Sequence, residues 1–341
     1  MHKVLVLYTE LADYILNSFS YYAKEYSHEV HIIHWPINNE APFTLKEDKG
    51  ITLYNKSNYD SESLKFLAKE INPDAIICAG WMDKEYLKVV KQYSSKIPTI
   101  LTMDNHWEGN IKQNILRLIS QFYLKKIFSH IWVPGKPQQD YAKKLHFKEY
   151  QILTGFYVAN NSVFEKIEYQ QENTFVYIGR YIEHKGIKDL WTAFIELKND
   201  FPNNWKLKCI GTGNLWNERV IHDDIDHLGF LQPTEISKNV KGGVFVLPSH
   251  FEPWGVVVHE FAMAGFPMII SDKVGAGTKF LRKNGFLFSS ANVTELKEKM
   301  KLMMMASNSE ITNFSNQSKL NSDLISNKDW SRQLNRIITK K

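Results

Sequence analysis

Short, unbroken apolar runs recur along the chain. Each is followed by a turn and then by a stretch whose apolar residues fall at helical spacing. Runs at 4–8, 30–34, 75–78, 99–102 and 131–133 read as strands, with helical periods between them, among them 61–71 and 83–93. A second series of strands reads at 175–178, 207–210, 244–247 and 267–270. A run that is apolar throughout, rather than alternating, belongs to a strand covered on both faces, as in parallel sheets. Strands that alternate with helices are βαβ units. The pattern predicts an α/β chain of two doubly wound, Rossmann-like domains, 1–158 and 172–325, facing a cleft. The turn-like 159–162 and the polar 168–173 fall between them. After a stretch rich in Ser and Asn at 307–327, a last segment (326–341) carries Trp330, Leu334, Ile337 and Ile338 on one helical stripe. Sheets of this kind take ligands beyond the carboxyl ends of their strands.

Composition narrows the classes. A length of 341 residues suits two domains, and 43 % apolar with 23 % charged residues excludes wholesale disorder. The net charge of +5 is too mild to mark a nucleic-acid binder, so no nucleic-acid partner is expected. Cys78 and Cys209 are the only cysteines, too few for a disulfide framework or a cysteine metal cage. The first apolar run is too short for a secretory leader, and no window approaches the ~18 uncharged apolar residues of a membrane span. A cytoplasmic location is expected, with peripheral contact at the inner face of a membrane left open.

The richest chemistry follows the strand at 244–247. It runs Ser249-His250-Phe251-Glu252-Pro253-Trp254-Gly255-Val256-Val257-Val258-His259-Glu260. Proline favours the first turn of a helix, so a helix is expected from near Pro253 to about Ala264. Its first N–H groups would offer an anion site, and Gly255 would let the backbone approach a ligand. Carboxylates such as Glu252 and Glu260 accept paired hydrogen bonds from a vicinal diol. Glu252 and Glu260 with Pro253 and Gly255 between them, followed by Gly265-Phe266-Pro267 and Ser271, resemble the Glu-x7-Glu signature of retaining glycosyltransferases, more narrowly glycosyltransferase family 4.

Other elements extend the likeness from about Thr174 to the C-terminus. Gly179-Arg180 and Lys185-Gly186 resemble the family's Gly-Arg and Lys-Gly pair, whose Arg and Lys hold the donor diphosphate. Gly211-Thr212-Gly213, Gly229-Phe230, Gly275-Ala276-Gly277, 284–287 and Trp330 match later elements. The resemblance implies the GT-B fold, with the last helix crossing back to the first domain. It implies that Glu260 grips the donor ribose, and that Glu252 with the amides of Trp254, Gly255 and Val256 sits at the sugar and diphosphate. Gly179, Arg180, Lys185, Gly211 and Gly213 complete the donor set. No metal or other cofactor is implied; the nucleotide sugar is a substrate. A guanidinium fork and an ammonium near a pyrophosphate stabilise charge on a departing nucleotide.

The first domain is less legible. Its first loop, Tyr8-Thr9-Glu10-Leu11, lacks the glycine pair that family members often carry there. Thr102–Gly109 ends a strand and opens a helix. Family members place a polar group here, often His, against the transferred sugar, which makes Asp104, Asn105 and His106 candidates. An Asp or Asn before a helix is equally a cap. Between residues 112 and 148, Lys112, Arg117, Lys125, Lys126, Lys136, Lys143, Lys144 and Lys148 face one acid, Asp140, and 111–128 reads as an amphipathic helix. Such a face suits anionic lipid or a lipid-linked acceptor.

Several signals are set aside. Asp224-Ile225-Asp226 falls late in the chain and reads as a polar connection rather than a metal-nucleotide site. Gly211-x-Gly213 continues to Trp216, so a dinucleotide fingerprint fails. The histidines show no zinc spacing, and Phe251, Trp254, Phe261 and Phe266 read as packing. The sequence thus points to a retaining transferase that moves a sugar from a nucleoside diphosphate sugar, UDP before GDP, to a hydroxyl of a glycan or lipid-linked saccharide. Bacterial surface polysaccharide or lipopolysaccharide synthesis is the expected setting. The alternatives are a sugar-nucleotide epimerase of the same plan and a non-catalytic partner subunit.

Overall fold

The computed structural model describes residues 1–38 and 42–339. The chain divides into two compact units. The first comprises Met1–Asn38, Phe43–Val158 and the chain from Ile325 onward; the second comprises Pro42 and Ala159–Leu324.

In the first unit the elements are β1 (Lys3–Tyr8), α1 (Asp13–Tyr26), β2 (Glu29–His34), β3 (Ile51–Asn55), α2 (Ser61–Ile71), β4 (Ala75–Ala79), α3 (Lys84–Tyr93) and β5 (Thr99–Thr102). They continue through α4 (Ile111–Ile119), α5 (Leu124–Ile127), β6 (His130–Val133), α6 (Lys136–Lys144) and β7 (Ile152–Thr154). The sheet order is β3-β2-β1-β4-β5-β6-β7, parallel throughout. Val4, Leu5, Val6 and Leu7 are fully buried, as an apolar run covered by helices on both faces requires.

The second unit holds α7 (Asn161–Phe164), β8 (Gln170–Ile178), α8 (Ile187–Asp200), β9 (Lys206–Ile210), β10 (Ile225–His227), α9 (Pro233–Asn239) and β11 (Gly242–Leu247). It closes with α10 (Val256–Met263), β12 (Met268–Ser271), α11 (Gly277–Phe280), β13 (Gly285–Phe288), α12 (Val293–Met305) and α13 (Asn308–Ser322). Its parallel sheet runs β10-β9-β8-β11-β12-β13. The last helix, α14 (Asn327–Thr339), belongs to the first unit. There Trp330 is fully buried, stacks on Trp132 at 4.6 Å, meets Phe19 edge-on at 5.1 Å and donates from Nε1 to Phe156 O at 2.8 Å.

The α/β plan of two doubly wound sheets is the expected one, and three local expectations, at 224–226, at 111–128 and at Pro253, need correction. The polar connection at 224–226 is largely an edge strand: Ile225 tucks inward while Asp224 pairs with Lys198 at 2.7 Å. The Ser/Asn-rich stretch after 307 is the helix α13. Ser307 and Glu310 form its capping box, and buried Ser318 and Asn321 donate to the carbonyls of Phe266, Phe280 and Arg282. The expected helix over 111–128 breaks into α4 and α5. The helix expected from Pro253 begins only at Val256, because Gly255 sits at φ +90°, outside the helical region.

Candidate active site

In a doubly wound sheet the crevice lies where strand order reverses, beyond the carboxyl ends of the two central strands. In the second unit those strands are β8 and β11. β8 delivers Gly179 and Arg180, and β11 delivers Ser249 to Glu252. Glycines let the loops close on one another. A Cβ on Gly211 (φ +132°) would lie 2.0 Å from Gly179 O, and one on Gly186 (φ +65°) would lie 2.2 Å from Pro248 O. Gly186 ends the tight turn Glu183–Lys185, whose His184 carbonyl accepts from the amides of His250 at 2.8 Å and Phe251 at 3.2 Å. Two loops far apart in sequence are thereby tied backbone to backbone.

Lys185 Nζ donates to Glu252 Oε2, and both side chains are largely buried. Glu252 is held by its main chain as well: its amide donates to Lys273 O at 3.2 Å and its carbonyl accepts from Gly275 N at 3.0 Å. A Cβ on Gly255 would stand 2.9 Å from Glu252 Cγ, so glycine there leaves room for the carboxylate. Arg180 is half-buried on the same edge, and its carbonyl accepts from Tyr177 Oη at 2.9 Å. Burial, then the charges of Lys185 and Arg180, push the pKa of His184 down, which keeps that imidazole neutral near pH 7. His250 Nε2 lies 2.7 Å from Asp189 Oδ2.

The structure therefore brings together Arg180, Lys185, Glu252 and the glycines 179, 211 and 255. Gly213 lies on the facing loop, between Thr212, whose carbonyl accepts from Tyr181 N, and Leu215, whose amide donates to Tyr181 O. Trp254 is buried edge-on to Phe280 at 6.2 Å, so its indole packs. Val256 opens α10, and Glu260 lies half-buried on the second turn of the same helix. One neighbouring group escaped sequence reasoning. His259 is fully buried: Nδ1 accepts from Ala159 N at 3.1 Å, Nε2 donates to Ser322 O at 3.0 Å, and the ring stacks on Phe280 at 4.3 Å. Burial drives its pKa down to about 4.

The first unit has its own strand-end cavity, about 370 Å³, off β1, β4 and β5 where the order reverses. Glu10, Asp104 and Asn105 line it with Tyr14, Trp81 and Tyr157. Asp104 and Asn105 do not cap a helix: Asn110 does, accepting from Gln113 N at 2.9 Å. Residues 103–110 are instead an irregular loop. Gln113 secures it through His106 O at 2.8 Å, and buried Gln138 donates to Asp104 O at 2.9 Å. His106, half-buried, follows one step beyond the lining pair. Trp81, Tyr157 and Gln138 carried no motif; only their position beside strand ends makes them relevant.

Lys112, Arg117 and Lys126 are exposed and Lys125 half-exposed, on or beside α4 and α5. No residue of α4 is buried. Ile111, Ile115, Leu118, Ile119 and Phe122, at one helical spacing, are respectively 79 %, 55 %, 71 %, 48 % and 65 % exposed. Beside them Arg117, Asp140, Lys143, Lys144 and His146 surround an open depression of about 490 Å³. No helix among the described residues is long and apolar enough to cross a membrane. Nor does any group of three or more His, Cys, Asp or Glu among them come together as a metal site.

Solved structures align with nearly the whole chain. A glycosyltransferase from Rickettsia africae covers 99 % of it and 97 % of its own chain, with TM-score 0.76 and 13 % identity. A trehalose-6-phosphate structure from E. coli bound with UDP-2-fluoro glucose gives 0.74 at 9 % identity, covering 99 % of both chains. The Anabaena protein HepE in complex with UDP and glucose gives 0.73 at 13 %, covering 98 % and 99 %. The chain has the GT-B fold. Within this GT-B chain, the family model described as "Glycosyl transferases group 1" matches residues 159–320, nearly all of the second unit. Over 110 residues (30 % of this chain) it is 32 % identical to a glycogen synthase of Mycobacterium tuberculosis. Over 164 residues (44 %) it is 27 % identical to the capsular polysaccharide biosynthesis glycosyltransferase CapM of Staphylococcus aureus. The matched stretches span 26 % and 42 % of those relatives' lengths.

Proposed function

We propose that the chain is a retaining glycosyltransferase of family 4 type. It moves a sugar from a nucleoside diphosphate sugar, UDP before GDP, to a hydroxyl of a glycan or lipid-linked saccharide. The observation that carries this reading is the meeting of Arg180, Lys185 and Glu252 at the strand-order reversal of the second unit, the part that matches the glycosyl transferase family. Two cations with one carboxylate leave a net positive site. A diphosphate entering it takes Lys185 from Glu252 and is held by the Arg180 fork. As the bond from the anomeric carbon to the diphosphate oxygen breaks and a bond to the acceptor oxygen forms on the same face, these charges stabilise the leaving diphosphate, which takes the acceptor hydroxyl's proton, without a metal. Glu252 is then left to accept from the sugar hydroxyls, and Glu260 from those of the ribose. The first unit's cavity takes the acceptor, with Asp104 and Asn105 toward the transferred sugar and His106 behind them.

The setting proposed is bacterial surface polysaccharide synthesis at the cytoplasmic face of the membrane. The likeness to the capsular relative supports the pathway class. The exposed apolar stripe of α4, flanked by Lys112, Arg117, Lys125 and Lys126, supports peripheral docking on anionic lipid. The test incubates the protein with UDP- and GDP-sugars, an acceptor panel and EDTA, and follows nucleotide release and product anomer by NMR. Acceptor-dependent release with retained configuration supports the reading. Turnover of the donor to its epimer without acceptor replaces it with an isomerase, and no binding of any nucleotide replaces it with a non-catalytic subunit.

A further inference from the structure

The cavity of the first unit has a chemical bias that the transferase reading does not require. Its walls carry the aromatic rings of Tyr8, Tyr14, Trp35, Trp81 and Tyr157. Four of these rings have partners: Trp35 Nε1 donates to Asp83 Oδ2 at 2.9 Å, Tyr14 and Tyr157 meet edge-on at 5.6 Å, and Tyr8 stacks on Phe156 at 6.4 Å. The charged groups lining the cavity are both carboxylates, Glu10 and Asp104, and no lysine, arginine or histidine is among the described residues that line it. Tyr157 Oη donates to Asp104 Oδ2 at 3.4 Å, which aims that carboxylate.

Aromatic faces stack on the C–H faces of a sugar ring, and carboxylates accept pairs of its hydroxyl hydrogen bonds. The same carboxylates repel a phosphate or a uronate, and no cation among the described lining residues offsets them. We infer that this cavity takes an uncharged saccharide ring and turns away phosphorylated and acidic sugars. The inference rests on the first unit being the acceptor side, and it narrows the acceptor to a chain with a neutral end.

The test uses the full chain without donor. Tryptophan fluorescence is titrated with neutral methyl glycosides of glucose, galactose, mannose and N-acetylglucosamine, and with their 6-phosphates and the matching glucuronide. At least one neutral glycoside is expected to bind, with its anionic counterparts at least tenfold weaker. Trp81→Ala should lose that binding while keeping its melting shift with UDP. Glu10→Lys, on an exposed loop, should bring the 6-phosphate within about threefold of the neutral glycoside. An anionic sugar bound as tightly as its neutral counterpart, or no glycoside bound at all, overturns the inference. The UDP shift reports separately on the donor reading, so the two can fail independently.

Discussion

Lys185 and Glu252, 67 positions apart in the chain, form a largely buried ion pair beyond the carboxyl ends of two adjacent parallel strands. A buried pair of this kind adds little net stability, because desolvation offsets most of its attraction. Its value here is positional. On the proposed reading, the ammonium waits where a diphosphate would displace the carboxylate. Lys185→Ala should therefore weaken UDP binding and cut transfer by about 100-fold or more, the scale of losing one stabilising group at a transition state. Glu252→Gln should behave differently. It frees Lys185 for the diphosphate, so UDP should bind at least as tightly while transfer still falls by a similar factor. Calorimetry with UDP beside rate measurements separates the two. Equal loss of UDP affinity in both variants would contradict the exchange of partners.

His259 makes acid stability measurable. In the folded chain burial lowers its pKa to about 4, against an ordinary value of 6.5. The unfolded chain therefore binds the extra proton first as pH falls. The stabilisation is complete above about 6.5 and drains away down to about 4, by roughly 3 kcal/mol at 1.36 kcal/mol per pKa unit. His259→Gln keeps an amide able to donate to the Ser322 carbonyl but does not titrate. Its melting temperature should fall less steeply than wild type between pH 6.5 and 4. Parallel pH profiles for the two proteins would remove His259 as the cause.

The stripe on α4 predicts a surface behaviour. Wild-type protein should float with vesicles containing anionic phosphatidylglycerol, and less so as salt rises, because exposed charges are screened within ~10 Å at 0.1 M. Ile115→Asp with Leu118→Asp should abolish flotation and leave the melting temperature unchanged, since both side chains are already exposed. Flotation that survives the double substitution would move the contact elsewhere.

Much of the proposed donor site is legible in the sequence because its residues sit close together along the chain. Glu252, Gly255 and Glu260 stand on one strand–loop–helix passage, and Gly179-Arg180 and Lys185-Gly186 on another. Apolar runs such as 4–7 announced buried parallel strands because a strand covered on both faces has no polar side to show. Edge strands β3, β7 and β10 went unread for the converse reason: they are short or half-polar. The true helix start at Val256 depended on a single φ at Gly255.

What the sequence determined by itself was the fold class and the residue types able to hold a nucleotide sugar, since both follow from periodicity and short spacings along one chain. What only the tertiary structure decided was which of them meet. Lys185 reaches Glu252 because β8 and β11 are neighbours in the sheet although α8, β9, β10 and α9 separate them in the chain. In the first sheet Trp81 joins Asp104 because β4 and β5 are neighbours, whereas Tyr157, which follows the edge strand β7, reaches Asp104 through the chain that leaves that strand. Strand order is set by packing between distant segments, and no local pattern of residues encodes it.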